Sequence, residues 1–96
     1  MKLETSLRLD LFLKLSRLCP RRTVAQKLCD AGFVFINERP AKSGHPVKAG
    51  DQITIRSRSA ETVARVLHVP NARSVSRHDA ALLLEILSKT EQNSEI

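Results

Sequence analysis

The 96 residues, 42% hydrophobic and 27% charged, allow one folded domain with one modest core and argue against a deep cleft between two domains. Sixteen Lys and Arg against ten Asp and Glu give a net charge of +6, which favours an anionic partner. No apolar run approaches the roughly 20 residues of a spanning helix. The amino terminus is not patterned as a signal peptide, so the expectation is a cytoplasmic protein without a membrane partner. Cys19 and Cys29 are then expected to be free thiols that pack as small apolar residues.

Taken in order, residues 1–7 read as a lead-in, with Ser6 a candidate N-cap and Asp10 in the first turn of a helix over 7–18. Leu9, Leu11, Phe12, Leu13, Leu15 and Leu18 make that helix apolar on most sides. Asp10, Lys14, Arg17 and Arg21, spaced four, three and four, would form one polar stripe. Pro20 is expected to end it. A second helix starts near Arg21 to Thr23, buries Val24, Ala25, Leu28 and Ala31, and stops at a left-handed Gly32. Arg22 and Lys27 carry the positive charge onward. From Arg8 to Lys27 there are six cations and one anion.

A strand over 33–37 follows, with Phe33 and Phe35 expected to face the core, then a turn at 37–40 and a short strand at 41–42. A loop at 43–46 and a turn at 47–51 lead into an alternating strand over 52–56. After a polar stretch, 62–69 reads as a strand and 71–75 as a loop. Ser76-Arg-His-Asp79 has capping-box-like spacing and opens a last helix to about Lys89, with Ala80, Leu83, Leu84 and Leu87 on one face. Residues 90–96 read as a disordered tail.

No nucleotide-binding, nucleophile or metalloprotease motif is present, and His45, His68 and His78 have no ligand spacing with either cysteine. The expectation is a protein that is not an enzyme and has no catalytic residues, cofactor or metal. The positive signal is phosphate binding. The start of the second helix attracts an anion, Arg21 and Arg22 flank it, and Lys14 and Arg17 extend it. Aromatic residues are only 3%, which disfavours base stacking and favours recognition of folded RNA by backbone and shape. Duplex DNA recognition competes, although Gln26, Lys27 and Asp30 are few residues for reading bases. A basic face meeting an acidic protein is the third possibility.

Arg8-Leu-Asp-x-Phe-Leu, Ser16-Arg17-Leu18, Arg21-Arg22-Thr23-x-Ala25, Gly32-x-Val34-x-Ile36-Asn37, Ala41-Lys42 and Val47-x-x-Gly50-Asp51-x-Ile53 follow in an order and spacing that resemble the S-four RNA-binding domain family. The resemblance covers residues 8–56. It implies an α+β fold, the alpha-L motif, with two N-terminal helices on a small, mostly antiparallel sheet. Residues 57–89 would add a strand and a C-terminal helix that complete the same domain. It also implies structured RNA, rRNA or tRNA, as partner. Compact stand-alone members dock on the large ribosomal subunit, either in quality control of stalled nascent-chain complexes or, in the heat-shock type, on free subunits carrying nascent chains. The candidate RNA-binding set is Arg8, Lys14, Arg17, Arg21, Arg22, Thr23, Lys27 and Lys42, and the expectation is a monomer. The sequence departs from the family at Glu38, where glycine is common, and at Arg21, where serine is frequent.

Overall fold

A computed structural model describes residues 6–57, 59–71 and 75–91. The chain enters extended. Leu7–Arg8 (β1) pairs antiparallel with Pro46–Val47 (β4), Leu7 opposite Val47 and Arg8 opposite Pro46, a long-range association that no local pattern announces. This pairing places the N-cap of the first helix, Leu9–Leu15 (α1), at Arg8 rather than Ser6. Leu9, Phe12, Leu13 and Leu15 are buried on it.

The first helix is shorter than expected. Ser16 caps it and Arg17 is left-handed, with φ 68°. The Arg17 N–H reaches back to the Lys14 carbonyl and the Cys19 N–H to that of Leu13, so the turn closes before Pro20. Arg17 and Arg21 therefore do not continue the α1 stripe. Arg21 is instead the N-cap of Arg22–Asp30 (α2). Ala25 and Cys29 are the buried residues of α2, Val24 and Leu28 are half-buried, and Ala31 is exposed. Gly32 follows the cap at φ 84°, as its position predicts.

The second sheet has five antiparallel strands in the order β3-β2-β5-β6-β7: Arg39–Pro40, Val34–Ile36, Gln52–Arg56, Ala60–Val66 and Leu84–Glu91. Asn37 and Glu38 are both left-handed, with φ 52° and 72°, and make a two-residue hairpin. That tight turn brings the return strand to 39–40 instead of 41–42.

Two expectations are overturned. Phe33 and Phe35 do not face the core; Phe33 is exposed and Phe35 half-buried. The register sets Val34 opposite Ile55 and Ile36 opposite Ile53, and Val34, Ile36 and Ile53 are buried. Apolar residues at every position of 33–36 leave the facing undecided in sequence, and a one-residue shift inverts it. The last helix is also far shorter than expected. Ser76 does accept the Asp79 N–H at 3.1 Å, but the helix spans only Arg77–Ala80 (α3). Residues 84–91 form a strand along the whole of β6, with a bulge between Val63 and Ala64. That ladder satisfies the β6 backbone, which a helix over the same residues would leave open along one edge. Thr90 and Glu91 belong to this strand. The lead-in at 1–5 and the tail at 92–96 lie outside the described residues.

The core joins Leu9, Phe12, Leu13, Ala25 and Cys29 of the helices to Val34, Ile36, Ile53 and Val66 of the sheet. Both helices are thereby fixed against one face, with their remaining polar surfaces outward.

Candidate nucleic-acid interface

The site is built around Asp10. This carboxylate lies on the first turn of α1 and is 0% exposed. Oδ1 accepts the Leu11 N–H at 2.7 Å and Arg8 Nε at 3.2 Å. Oδ2 accepts Gln26 Nε2 at 2.9 Å and Arg8 Nη2 at 3.2 Å, and it forms an ion pair with Arg22, whose Nε lies 3.2 Å away. Burial pushes the Asp10 carboxyl up, but the hydrogen bonds from Gln26, Arg8 and Arg22, with the Arg22 charge, outweigh burial and hold it below its ordinary 3.8. Asp10 is more than a favourable first-turn charge: it joins β1, α1 and α2. Gln26, set aside above as a surface residue, is half-buried and belongs to this network.

The two arginines keep much of their surface open. Arg8 is 53% exposed and Arg22 42% exposed at the side chain. Each guanidinium therefore has donors turned to solvent while another edge is anchored. The loop after β3 adjoins them. The Asp10 N–H bonds to the Ser43 carbonyl at 3.0 Å and the Leu9 N–H to that of His45 at 2.8 Å. The Arg8 guanidinium carbon lies 3.8 Å from where a Cβ on Gly44 would sit. Lys42, exposed, closes this loop through its carbonyl, which accepts the His45 N–H.

Arg21 and Thr23 are exposed at the start of α2. The Arg21 side chain makes no cap hydrogen bond, and no acidic residue occupies the first turn. The positive end of the α2 dipole therefore meets solvent beside Arg22. Lys14 and Lys27 are exposed on α1 and α2. Arg17 stands apart from the Asp10 network: its Nη2 donates to the Val75 carbonyl at 3.1 Å. Seven of the eight candidate residues thus lie on β1, α1, α2 and the adjoining loop, and Arg17 extends the set toward the C-terminal segment.

The outer sheet face is a second concavity, of about 430 Å³, lined by Phe35, Glu38, Gln52, Thr54, Arg56, Glu61 and Val63. Arg56 lies 4.7 Å from the Phe35 ring centroid and its Nε bonds Glu61 at 2.7 Å. One cation against two anions makes it the poorer place for a polyanion. Cys19 and Cys29 are buried free thiols. Burial, with the nearby Asp10, Cys19 and Asp30 charges, pushes Cys29 up to about 11, and burial raises Cys19, so neither is a nucleophile at neutral pH. Among the described residues no cluster of three or more His, Cys, Asp or Glu could hold a metal, and no helix is long and apolar enough to cross a membrane.

The S4 domain family model matches residues 7–53, the span that carries this site. An RQC P-site tRNA stabilizing factor from Streptococcus pneumoniae is 37% identical over 90 residues, covering 94% of this chain and 100% of that protein. One from Helicobacter pylori is 33% identical over 78 residues, covering 81% of this chain and 93% of that protein. Among solved structures, the trimeric heat shock protein 15 of Vibrio cholerae superposes with a TM-score of 0.76 at 26% identity, over 88% of this chain and 84% of that one. With the family model matching residues 7–53 and near full-length similarity to these small proteins, the chain belongs to the S-four domain family, in the branch that includes the RQC P-site tRNA stabilizing factors.

Proposed function

We propose that this protein is a non-catalytic RNA-binding factor that docks on rRNA and tRNA of the large ribosomal subunit during quality control of stalled nascent-chain complexes. The observation that carries the reading is the Arg8–Asp10–Arg22 cluster beside the uncapped start of α2. Two anchored guanidiniums and free helix N–H groups are donors for backbone phosphate, whatever the base sequence. Arg21, Thr23, Lys42, Lys14 and Lys27, exposed on the same helices and the adjoining loop, would add to them, and Arg17 would lengthen the track. The names of the relatives, at 33–50% identity, supply the ribosomal and P-site tRNA context. A heat-shock-type role on free large subunits is the second reading, supported by the Vibrio cholerae fold at lower identity. We place the protein in the cytoplasm and treat it as a monomer in this role.

The test is co-sedimentation with purified bacterial large subunits, with and without peptidyl-tRNA, across a salt series. Four to six neutralised phosphates give a log–log salt slope of about −4 to −5. Arg21→Glu reverses a charge at the exposed N-cap without touching Asp10, and it removes most of the binding. Equal retention on duplex DNA would favour a DNA-binding regulator instead.

A further inference from the structure

We infer that Asp10, although an anion, strengthens the grip on RNA phosphate by acting as a positioning residue for Arg8 and Arg22, an inference that rests on the phosphate-binding reading. A lone carboxylate in a phosphate site ordinarily repels the ligand. Here it is 0% exposed, and its oxygens are occupied by Leu11, Gln26, Arg8 and Arg22. An incoming phosphate meets guanidinium surface and never the carboxylate.

The geometry divides each arginine's donors. Arg8 uses Nε and Nη2 on Asp10, which leaves both Nη1 hydrogens and one Nη2 hydrogen. Arg22 meets Asp10 as an ion pair through its Nε end, 3.2 Å away, which leaves both terminal nitrogens. Two long side chains from different elements are therefore held in one place before any ligand arrives. Ordering them is a cost that an unanchored pair would meet on binding. The backbone bonds from Asp10 to Ser43 and from Leu9 to His45 fix the Lys42 loop to the same point. The ligand class that fits is a backbone phosphate bridging Arg8 and Arg22.

The sign of a charge change tests this. Asp10→Asn and Asp30→Asn each raise the net charge by one, and Asp30 is exposed at the end of α2. Charge alone makes both bind purified large subunits more tightly. Positioning makes Asp10→Asn about tenfold weaker, the effect of losing one well-made bidentate contact, while Asp30→Asn binds as the parent or tighter. In an Arg8→Lys, Arg22→Lys background, which keeps charge but lacks the planar fork, Asp10→Asn changes binding less than about twofold. A merely structural role would weaken both backgrounds equally. Folded Asp10→Asn that binds like the parent or tighter overturns the inference.

Two further measurements keep the outcome decidable. Should Asp10→Asn not fold, the double lysine variant alone decides: binding about tenfold weaker at unchanged charge supports positioning, and parental binding overturns it. Nε–H resonances of Arg8 and Arg22 report the anchoring without RNA. They are protected from exchange in the parent and lose protection in Asp10→Asn. If the parent binds neither subunits nor tRNA, the phosphate reading falls, whereas unprotected Nε–H groups in the parent would remove the positioning itself.

Discussion

Asp10 and Glu61 each hold an arginine, yet they sit in different physical regimes. The Asp10 carboxylate is wholly buried and shared by Arg8 and Arg22. Glu61 is 40% exposed and pairs with Arg56, itself 59% exposed, across the outer sheet face. A surface pair gains little because water screens it and two flexible chains must be held. A buried carboxylate has lost its hydration, so its partners become obligatory. The difference also sets local charge. At the helical end two cations share one anion and leave a positive surface; on the outer face the pair is neutral, with Glu38 nearby.

The sharpest way to break the contrast is to strip each carboxylate of its arginines. Arg8→Ala with Arg22→Ala leaves Asp10 buried with neutral donors only, and urea melts should lose about 3–5 kcal/mol. Adding Asp10→Ala should then recover part of that loss, because no buried charge remains. A triple variant less stable than the double would show that Asp10 is held by packing and not by its cations. The same geometry limits how the site can be probed: reversing Arg22 to Glu sets a second carboxylate against Asp10, so unfolding and lost binding would be confounded.

Acid probes the same carboxylate with smaller effect. Its folded value is depressed, so its stabilisation is complete above the ordinary 3.8 and is lost as pH falls through the lower folded value. The parent should lose stability steeply below about pH 3.8, and Asp10→Asn should flatten that limb. Titration of chemical-shift-resolved unfolding against pH reads the difference directly. Identical acid limbs would place the responsible carboxylate elsewhere.

The features legible in the sequence are those fixed within a few residues. Gly32 as the left-handed residue after α2, Ser76 as a cap and the alternating strand at 52–56 all follow from local chemistry. The apolar set Ala80, Leu83, Leu84 and Leu87 fits a helix by spacing, but only Ala80 is helical, because pairing with β6 draws Leu84 and Leu87 into strand β7. Asp10 was visible as an anion among cations, and its partner Arg22 twelve residues on was visible too. Their contact was not, because the left-handed Arg17 and the turn through Pro20 decide how α2 returns across α1. The cationic set was read from charge and from the family resemblance; its organisation around one carboxylate requires the tertiary structure.

Backbone strain offers a finer comparison between the two regions. Arg17 and Glu38 both sit at positive φ, which costs a non-glycine residue about 1 kcal/mol. Glu38→Gly should raise stability by about 0.5–1 kcal/mol and leave RNA binding unchanged. Arg17→Gly relieves the same strain but removes the bond to the Val75 carbonyl, so its gain should be smaller. It should also reduce the salt slope by about 1, the signature of one lost phosphate contact. Paired thermal melts and salt titrations separate the two. Equal binding by both glycine variants would take Arg17 out of the interface.

The smallest expected effect is at Glu61. Glu61→Gln removes the charge from the pair with Arg56 but keeps the side chain's shape and an acceptor oxygen. Exposed pairs contribute about 0–1 kcal/mol, so stability should shift by less than about 0.5 kcal/mol. Arg56 also lies 4.7 Å from the Phe35 ring centroid, a second contact that the substitution leaves available. The substitution also raises the net charge by one, as Asp10→Asn does, but on the outer sheet face and outside the Asp10 network. Binding to large subunits should therefore stay at the parental level, with the salt slope unchanged. A gain in affinity as large as the loss expected from Asp10→Asn would mean that total charge governs binding, and the distinction between the two carboxylates would lose its functional content.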